Sequence, residues 1–277
     1  MTENATYVSL TDILPSSTPS VVTIPFYSQG TLFTAEEAPR ALLTLLPAGS
    51  MRFRWNEVNA NRVSVFNRLI HSPHRLFSIE LIHSHTVFSI DKKTDLNGIQ
   101  GDGFMTSDTA CVPVITAADC MPIYLYNPKD FCFGVLHSGW KGTGIVSSAL
   151  ELARNRYGTK NEDFLVILGP HIQSCCYTVD DERAHYFTKT FTPSCIAPDT
   201  NGINHLSLAE TNISLLEKEG VQAGNIVCFT DCTSCSTLEG KPYLGSFRRE
   251  TAGLDSSLSA EEKSLKFTPM AAFMYMK

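Results

Sequence analysis

Two residues whose types suit metal chemistry, Cys120 and His137, each close an apolar run of the sequence. Cys120 ends ACVPVITAADC, His137 ends FCFGVLH, and the glycine-rich stretch SGWKGTG follows directly. Thiolate sulfur and imidazole nitrogen are donors that suit zinc and copper. Two such donors at strand ends suggest a metal site with an open position. A cysteine and a histidine alone, however, are more often an inert core thiol and a core histidine, so the metal interpretation depends on a third ligand.

His83 is the best candidate for a third ligand. His83 and His85 lie two residues apart in SIELIHSHTVFSI, which has the composition of a strand, so both would project to the same face. Two nitrogens and one sulfur suit zinc well and copper acceptably. The other five histidines are interpreted as surface or locally hydrogen-bonded residues: His71, His74, His171, His185 and His205.

The segment that presents His137 reads as a buried strand, a turn and a helix. Successive residues of FCFGVLH point to opposite faces of a strand, and both faces carry mainly apolar residues. This pattern is typical of a central strand buried on both sides. Gly139, Gly142 and Gly144 permit a tight turn, and helical periodicity follows in IVSSALELARNRYG. We therefore expect His137 at the carboxyl end of a strand, close to a helix N-terminus.

Strand and helix patterns alternate along the rest of the chain. Apolar runs predict strands in VTIPF, LFSIELIHS, ACVPVITAADC, PIYLYN, FLVILGP, NIVCFT and FTPMAAFMYM. Helices are predicted in EEAPRALLTLL, NEVNANRVSVFNRLI, DDERAHYFTKTF and LSLAETNISLLEKEG, the last ending at Gly220. This mixture predicts an α+β fold with a mixed central sheet flanked by helices.

Length and composition indicate one domain, residues 1–277, with a flexible N-terminal segment, residues 1–20. The chain has 277 residues, of which 43% are hydrophobic. A net charge of −6 and the lack of a basic stripe argue against a nucleic-acid partner. No export signal and no stretch near the roughly 20 apolar residues of a membrane span are visible, so we expect a cytoplasmic protein without a membrane partner.

The nine cysteines indicate reduced thiols, because their number is odd and the sequence lacks an export signal. Cys232 and Cys235 form a C-x-x-C without the second C-x-x-C that a structural zinc site usually has. Cys175 and Cys176 are adjacent, which is a poor arrangement for joint chelation. These four cysteines are interpreted as structural, and Cys120 alone is assigned to a metal.

Several ordered motifs over residues 55 to 250 resemble the YfiH-type laccase-domain family, also called multicopper polyphenol oxidoreductase-like or purine nucleoside phosphorylase-like. The family has a histidine in a short strand and then T-x-ADC-x-P, H-A-G-W-[RK]-G, G-P-x-I-x-x-C-C-Y-x-V, C-T and S-[YF]-R-R elements. The chain carries them as His83, Thr116–Pro122, His137–Gly142, Gly169–Ile172 with Cys175–Val179, Cys232–Thr233 and Ser246–Arg249.

The chain also departs from the family pattern at three places. The Q-x-H-G element is replaced by Leu81-Ile82-His83-Ser84, which keeps the histidine alone. Residues 26–30, FYSQG, carry no arginine where the family has a T-R-x-G-G segment, and residues 251–254, TAGL, replace T-G-R. The resemblance implies a layered alpha-beta sandwich and a metal held by His83, Cys120 and His137.

The resemblance also implies phosphorolysis of purine nucleosides, a reaction that needs a phosphate site. The Gly139 to Gly144 turn is a candidate, since a helix N-terminus favours anions. Lys141, Arg248 or Arg249 would add positive charge, and Arg248 is the preferred choice.

Two aromatic residues and one acid complete the predicted site. Trp140 and Phe247 are candidates for stacking on the purine. Asp119 is assigned a supporting catalytic role beside Cys120 and His137, orienting a ligand or polarising water.

Three functions remain open at this point. The first is a zinc-dependent purine nucleoside enzyme, in which metal-activated water would also deaminate adenosine. The second is a copper-dependent polyphenol oxidase, although His83-Ser84-His85 is a single H-x-H pair and cannot supply several copper centres. The third is a catalytically weak or peptidoglycan-quality-control member of the family.

Overall fold

A computed structural model describes residues 5–15 and 17–276 of the chain. Within them the strands are β1 (Thr6–Val8), β2 (Val21–Ile24), β3 (Tyr27–Ser28), β4 (Thr31–Leu32), β5 (Arg40–Thr44), β6 (Arg75–Phe77), β7 (Val87–Ser89), β8 (Gly103–Thr106), β9 (Cys111–Ala117), β10 (Met121–Asn127), β11 (Cys132–Ser138), β12 (Leu165–Leu168), β13 (Thr178–Val179), β14 (Ile196–Pro198), β15 (Asn204–Leu206), β16 (Ile226–Phe229), β17 (Thr237–Leu238), β18 (Lys241–Pro242) and β19 (Met270–Tyr275). The helices are α1 (Ala60–Leu69), α2 (Ile145–Tyr157), α3 (Asp181–Thr190), α4 (Leu208–Lys218), α5 (Phe247–Glu250) and α6 (Ala260–Ser264).

Two mixed sheets form the centre of the molecule. The larger has seven strands in the order β1-β16-β12-β10-β11-β8-β7, with parallel pairs at both ends and antiparallel pairs around β10 and β11. The smaller has five strands in the order β2-β5-β19-β9-β6. The chain passes from the smaller sheet to the larger through residues 118–120, between β9 and β10.

The side chains of β10 show how the two sheets are packed. Tyr124 and Tyr126 point into the core between the sheets, whereas Ile123 and Leu125 point into a second core that holds α2 and α4. Both faces of this strand are therefore buried, as its unbroken apolar sequence predicts. A third core lies between α1 and the outer face of the smaller sheet. The layers run from helices through two sheets to a helix.

The predicted fold class is confirmed as α+β, with helices on both outer faces of a layered sandwich. The centre consists of two stacked sheets where the sequence suggested one. In the described part of the chain, none of the helices is long and apolar enough to cross a membrane.

The helix predicted in EEAPRALLTLL is wrong, because residues 40–44 form strand β5. Ala41, Leu42, Leu43 and Thr44 are buried, since β5 lies between β2 and β19 with both faces covered. A short apolar run that is buried on both faces carries no period of two, so its sequence does not distinguish a strand from a helix.

The described part of the N-terminal segment is packed against the larger sheet, whereas the sequence predicted a flexible segment 1–20. Strand β1 pairs in parallel with β16. Asp231 then accepts hydrogen bonds from Ser9 Oγ and from the backbone N–H of Leu10, which is buried. Residues 1–4 and 16 lie outside the described part of the chain.

Candidate metal centre

The structure brings together the three predicted metal ligands. The donor atoms of His83, Cys120 and His137 all lie within 4.8 Å of one another. The two imidazole rings meet edge to face, with 4.8 Å between their centroids. Two nitrogens and one sulfur at this spacing fit one tetrahedral metal ion with a fourth position left for water or substrate.

Each ligand comes from a different part of the fold, two from connections and one from a strand. Cys120 ends the link between β9 and β10, and His137 lies near the carboxyl end of β11, as predicted. His83 lies in a bend with a φ of 59°, so the strand predicted through LFSIELIHS ends before it. The backbone of His83 donates its hydrogen bond to a side chain from another loop, and this side chain takes the place of a neighbouring strand.

That side chain is Asp102, which the sequence analysis missed. Its carboxylate accepts hydrogen bonds from the backbone N–H groups of His83 (2.9 Å) and Ser84 (2.6 Å), and from Ser84 Oγ (2.7 Å). It also lies 2.9 Å from His137 Nδ1. Because Asp102 bonds Nδ1, the Nε2 atom of His137 is left for the metal, which is a common outer-sphere arrangement in zinc sites.

Asp102 lies in Gly101-Asp102-Gly103, and this pattern is the sequence signal that could have revealed it. A Cβ at Gly101 would come within 2.6 Å of the Phe88 ring, and a Cβ at Gly103 within 2.5 Å of Leu136. A side chain at either neighbour of Asp102 would therefore require Phe88 or Leu136 to shift. An acid between two glycines after a polar loop marks a backbone that approaches other groups closely.

The surroundings of the ligands favour the thiolate of Cys120, which is the form that binds a metal, whereas His137 must release a proton before it binds one. Burial raises the pKa of Cys120, but the larger opposite effect of His137 and His83 lowers it to about 6. Burial lowers the pKa of His137, but Cys120 and Asp102 raise it to about 10. Burial likewise opposes ionisation of Asp102, yet its bonds to His137 and Ser84 hold its pKa below the usual value. Before metal binds, a thiolate thus faces an imidazolium beside an ionised carboxylate.

Two further histidines of the sequence analysis take local roles. His85, which was expected to share a face with His83, places Nε2 2.9 Å from the carbonyl oxygen of Thr143. It therefore supports the turn before α2 and does not join the ligands. His171 is fully buried, and its Nδ1 lies 2.9 Å from the carbonyl oxygen of Gly169. Burial lowers the pKa of His171 to about 4.

The three ligands line a cavity of about 490 Å³. Its wall carries four arginines and a set of aromatic residues that includes Phe53, Tyr177 and Phe267, while Leu81, Ile172 and Leu208 add apolar surface. The arginines are Arg52, Arg54, Arg183 and Arg248. A cavity of roughly 300–1,000 Å³ with an apolar lining and a few charged groups is typical of small-molecule sites.

Three of the four predicted substrate residues line this cavity. Trp140, Phe247 and Arg248 belong to its wall. The guanidinium of Arg248 donates to Thr178 Oγ1 at 3.2 Å. Lys141 lies outside the wall, because its ammonium is turned over the ring of Trp140 at 5.3 Å from the centroid.

Arg249, the alternative to Arg248, is turned away from the cavity. Its guanidinium donates to the carbonyl oxygens of Thr233 and Leu244 and pairs with Glu250 at 3.1 Å. The preference for Arg248 as the substrate residue is thus consistent with the geometry, and Arg249 holds the surrounding loops together.

Positive charge reaches the cavity from places that the sequence analysis did not single out. Arg183 projects from α3, with its guanidinium 4.2 Å from the centroid of the Trp140 ring. Arg52 and Arg54 come from the irregular segment before α1, although residues 26–30 provide no arginine. The predicted anion site at the start of α2 does not open on this cavity, since of that turn only Gly139 and Trp140 line it.

Asp119 is bound to neighbouring loops. Its Oδ1 accepts from Thr233 Oγ1 at 2.6 Å, and its Oδ2 accepts from the backbone N–H of Arg248 at 2.6 Å. The residue adopts a φ of 81°, which turns the chain from β9 toward Cys120. Asp119 therefore positions Cys120 on one side and Arg248 on the other, which agrees with a supporting role.

A second group of donors lies in two loops beside the cavity. The sulfur atoms of Cys175, Cys176, Cys232 and Cys235 lie within 4.8 Å of one another. The turn that contains Cys175 and Cys176 brings both sulfurs to the same side, 3.8 Å apart, although adjacent cysteines were expected to be poorly arranged for joint chelation.

Known proteins are similar to this chain in both sequence and fold. A purine nucleoside phosphorylase, YlmD, of Geobacillus stearothermophilus is 31% identical over 192 residues, which cover 65% of this chain and 70% of the relative. The crystal structure of YlmD from that organism superposes with a TM-score of 0.74 at 26% identity, covering 92% of this chain and 100% of that chain.

A mouse relative, the purine nucleoside phosphorylase LACC1, is 31% identical over 167 residues. The match covers 58% of this chain and 38% of the relative, so the chain spans well under half the length of that protein. Residues 54–254 match the family described as multi-copper polyphenol oxidoreductase laccase. This match includes the three clustered ligands and most of the chain, and the chain belongs to that laccase-domain family.

Proposed function

We propose that the protein is a zinc-dependent purine nucleoside phosphorylase that releases the free base from adenosine or inosine and also deaminates adenosine. The observation that carries the proposal is a three-ligand metal centre that opens on a cavity with four arginines and several aromatic residues. The relatives named purine nucleoside phosphorylase support the same substrate class.

Zinc fits the donor set better than copper. Two imidazoles and one thiolate, with Asp102 on the far nitrogen of His137, match the ligands and outer sphere of catalytic zinc sites. In the described part of the chain, the one other cluster of three or more potential ligands consists of cysteines. It provides no histidines for the additional copper ions of a multicopper oxidase.

Phosphorolysis requires that hydrogen phosphate and nucleoside lie side by side. A phosphate oxygen forms a bond to C1′ of the sugar while the bond from C1′ to the purine nitrogen breaks. The base leaves with the electron pair and takes up the proton that hydrogen phosphate gives up. Guanidinium groups bind phosphate oxygens through paired, charge-assisted hydrogen bonds, so Arg248 and Arg183 are the residues that we assign to phosphate.

The aromatic wall suits the purine. Trp140 and Phe247 line the cavity, and Phe247 is 43% exposed, so its ring is available to a ligand. Stacking on these rings would orient the base and exclude water from the reacting bond. Lys141 supports this arrangement from outside by its contact with Trp140.

Deamination of adenosine uses the metal centre. When zinc is held by three protein ligands, it supplies an open position and a water whose pKa falls to about 7. Cys120 and His137 would hold the metal at the cavity wall, and Asp102 fixes the orientation of the His137 ring. Asp119 precedes Cys120 in the chain and bonds the backbone of Arg248, so it fixes the position of these two residues relative to each other.

The test measures base release from adenosine and inosine, with and without phosphate, by protein purified with its own metal. We expect release that depends on phosphate, conversion of adenosine to inosine without it, and loss of both in Cys120→Ala. Cys195→Ala is the matched control, since Cys195 is buried and does not line the cavity.

Two other outcomes would favour the alternatives. Stoichiometric metal without turnover would indicate a catalytically weak or peptidoglycan-quality-control member of the family. Oxygen uptake with a phenol at stoichiometric copper would indicate a polyphenol oxidase.

A further inference from the structure

We propose that Cys175, Cys176, Cys232 and Cys235 form a second metal site, a structural zinc centre that holds one wall of the substrate cavity. The four sulfurs come from two loops that are 60 residues apart in the sequence, as the contact between Cys175 and Cys235 shows. This centre is separate from the ligands His83, Cys120 and His137.

The sulfur spacing matches tetrahedral coordination. Zinc–sulfur bonds of about 2.3 Å place the sulfurs of a regular tetrahedron about 3.8 Å apart. The sulfurs of Cys175 and Cys176 are 3.8 Å apart, those of Cys175 and Cys235 are 3.6 Å apart, and all four lie within 4.8 Å of one another. Four sulfur donors with no open position are typical of a structural zinc site.

The loop that carries Cys232 and Cys235 has the features of a metal-binding turn. Its ends are closed by two reciprocal hydrogen bonds, from Cys232 N–H to Ser236 Oγ at 2.8 Å and from Ser236 N–H to the Cys232 carbonyl at 2.9 Å. The backbone N–H of Gln173 also points at Cys232 Sγ, at 3.4 Å. Amide donors to sulfur stabilise a thiolate, which is the form that binds zinc.

Four thiolates around one zinc ion carry a net negative charge, which nearby positive groups must offset. Arg249 places its guanidinium on the carbonyl oxygens of Thr233 and Ser234, within the Cys232 to Cys235 loop. The guanidinium thus lies beside the loop that carries Cys232 and Cys235, where its positive charge would partly offset that of bound thiolates.

The loops that the site would join also build the cavity. Ile172 and Tyr177, on either side of Cys175 and Cys176, line the cavity wall. Thr233, between Cys232 and Cys235, donates to Asp119, which in turn accepts from the backbone of Arg248. A metal held by the four cysteines would therefore fix Tyr177 and, through Asp119, the helix start that carries Arg248.

Two disulfides are the competing state of the same four residues. A disulfide uses two sulfurs at about 2.05 Å and does not require four sulfurs to converge on one point. Adjacent cysteines are also poorly placed to bond to each other. Convergence of all four sulfurs therefore favours a metal ion.

The test is zinc content per chain by elemental analysis of the full-length protein, for the wild type, Cys120→Ala, Cys235→Ser and Ser234→Ala. We expect about two zinc ions in the wild type and in Ser234→Ala, and about one in each cysteine variant. Ser234→Ala is the matched control, because it changes the same loop and leaves all four sulfurs in place.

X-ray absorption at the zinc edge of Cys120→Ala then identifies the remaining site, even if Cys235→Ser fails to fold. Four sulfur neighbours at about 2.3 Å are expected. Nitrogen or oxygen neighbours, an absence of zinc in this variant, or two disulfides detected by mass spectrometry of unreduced, alkylated protein would overturn the proposal. None of these outcomes depends on nucleoside turnover, so failure of this site and failure of the proposed activity are distinguishable.

Discussion

Replacement of Gly139 by alanine is expected to weaken the metal centre through one steric contact. A Cβ at Gly139 would lie 2.6 Å from Cys120 Sγ and 3.3 Å from His83 Cδ2. The pairing of Met121 with Ser138 explains this approach, since it brings the residues just beyond the pair face to face. Gly139 does not adopt a positive φ, so the substitution tests the contact and not the backbone.

The size of the effect follows from the distances. Non-bonded atoms rest at about 3.5 Å or more, so the sulfur and the new methyl group must separate by about 1 Å. Metal–ligand distances tolerate about 0.2 Å. We therefore expect a loss of metal affinity of about 10–100-fold, as for other changes beside a metal site, and destabilisation of the metal-free protein by about 1–3 kcal/mol from overpacking.

Stability is measured by urea unfolding of metal-free protein, as a double-mutant cycle of Gly139→Ala and Cys120→Ala. Zinc affinity is measured separately by chelator competition. Removal of Sγ in Cys120→Ala leaves Cβ of that residue 3.6 Å from the new methyl group, an ordinary contact. Gly139→Ala should therefore cost much less in the Cys120→Ala background than in the wild type. Equal costs in the two backgrounds would refute the steric explanation.

Four further predictions concern residues at or beside the metal centre and the cavity. Asp102→Asn should lower zinc affinity about 10–100-fold in chelator competition, because the charged partner of His137 is lost, and unchanged affinity would contradict the role given to Asp102. Arg248→Ala should raise KM for phosphate with little change in stability, whereas Arg249→Ala should destabilise the fold by about 1–3 kcal/mol, because buried carbonyl partners lose their donor; steady-state kinetics and urea unfolding check the pair. In metal-free protein the pKa of Cys120 is lowered to about 6, so the difference in ultraviolet thiolate absorbance between wild type and Cys120→Ala should rise with pH around 6, and a midpoint near 9.0 would contradict it. Between pH 6.5 and 9.0 the folded chain, compared with the unfolded chain, binds one proton fewer at Cys120 and one proton more at His137. The two differences cancel, so this pair should add no pH dependence to the free energy of unfolding in that range.

The sequence allowed two of the three ligands to be placed on their elements because the signals around them are local. The strand, the turn with three glycines and the helix around His137 follow from side-chain period and glycine content over residues 131–157. Cys120 follows in the same way from the apolar run of β9. His83 was identified by residue type, but its backbone conformation was not, because a carboxylate 19 residues away determines it.

Residues that act across the fold left weaker signals. Asp102 lies between two glycines that only the packing of Phe88 and Leu136 explains. Arg183 lies on a helix whose sequence indicates amphipathicity and no ligand. The four clustered cysteines combine a C-x-x-C with an adjacent pair, which is not a standard ligand spacing. The geometry that joins the two loops depends on contacts such as the β-bridge between His171 and Cys232. Tertiary contacts determine each of these features.

The two donor clusters differ in what holds their ligands in place. At the first cluster, the buried carboxylate of Asp102 is hydrogen-bonded to both the backbone of His83 and the ring of His137. Strand β11 is also paired with β10 as far as His137 and Ser138. The sheets thus build this site without help from a metal, as the exchange of water and substrate in the proposed function would require. At the second, Cys175 and Cys235 are exposed, and the two loops that carry the four cysteines are already joined by the contact of Gln173 with Cys232 and braced by the contact of Thr233 with Asp119. A metal bound there would add a further link between these loops, and so would help to fix the wall of the cavity without taking part in a reaction there.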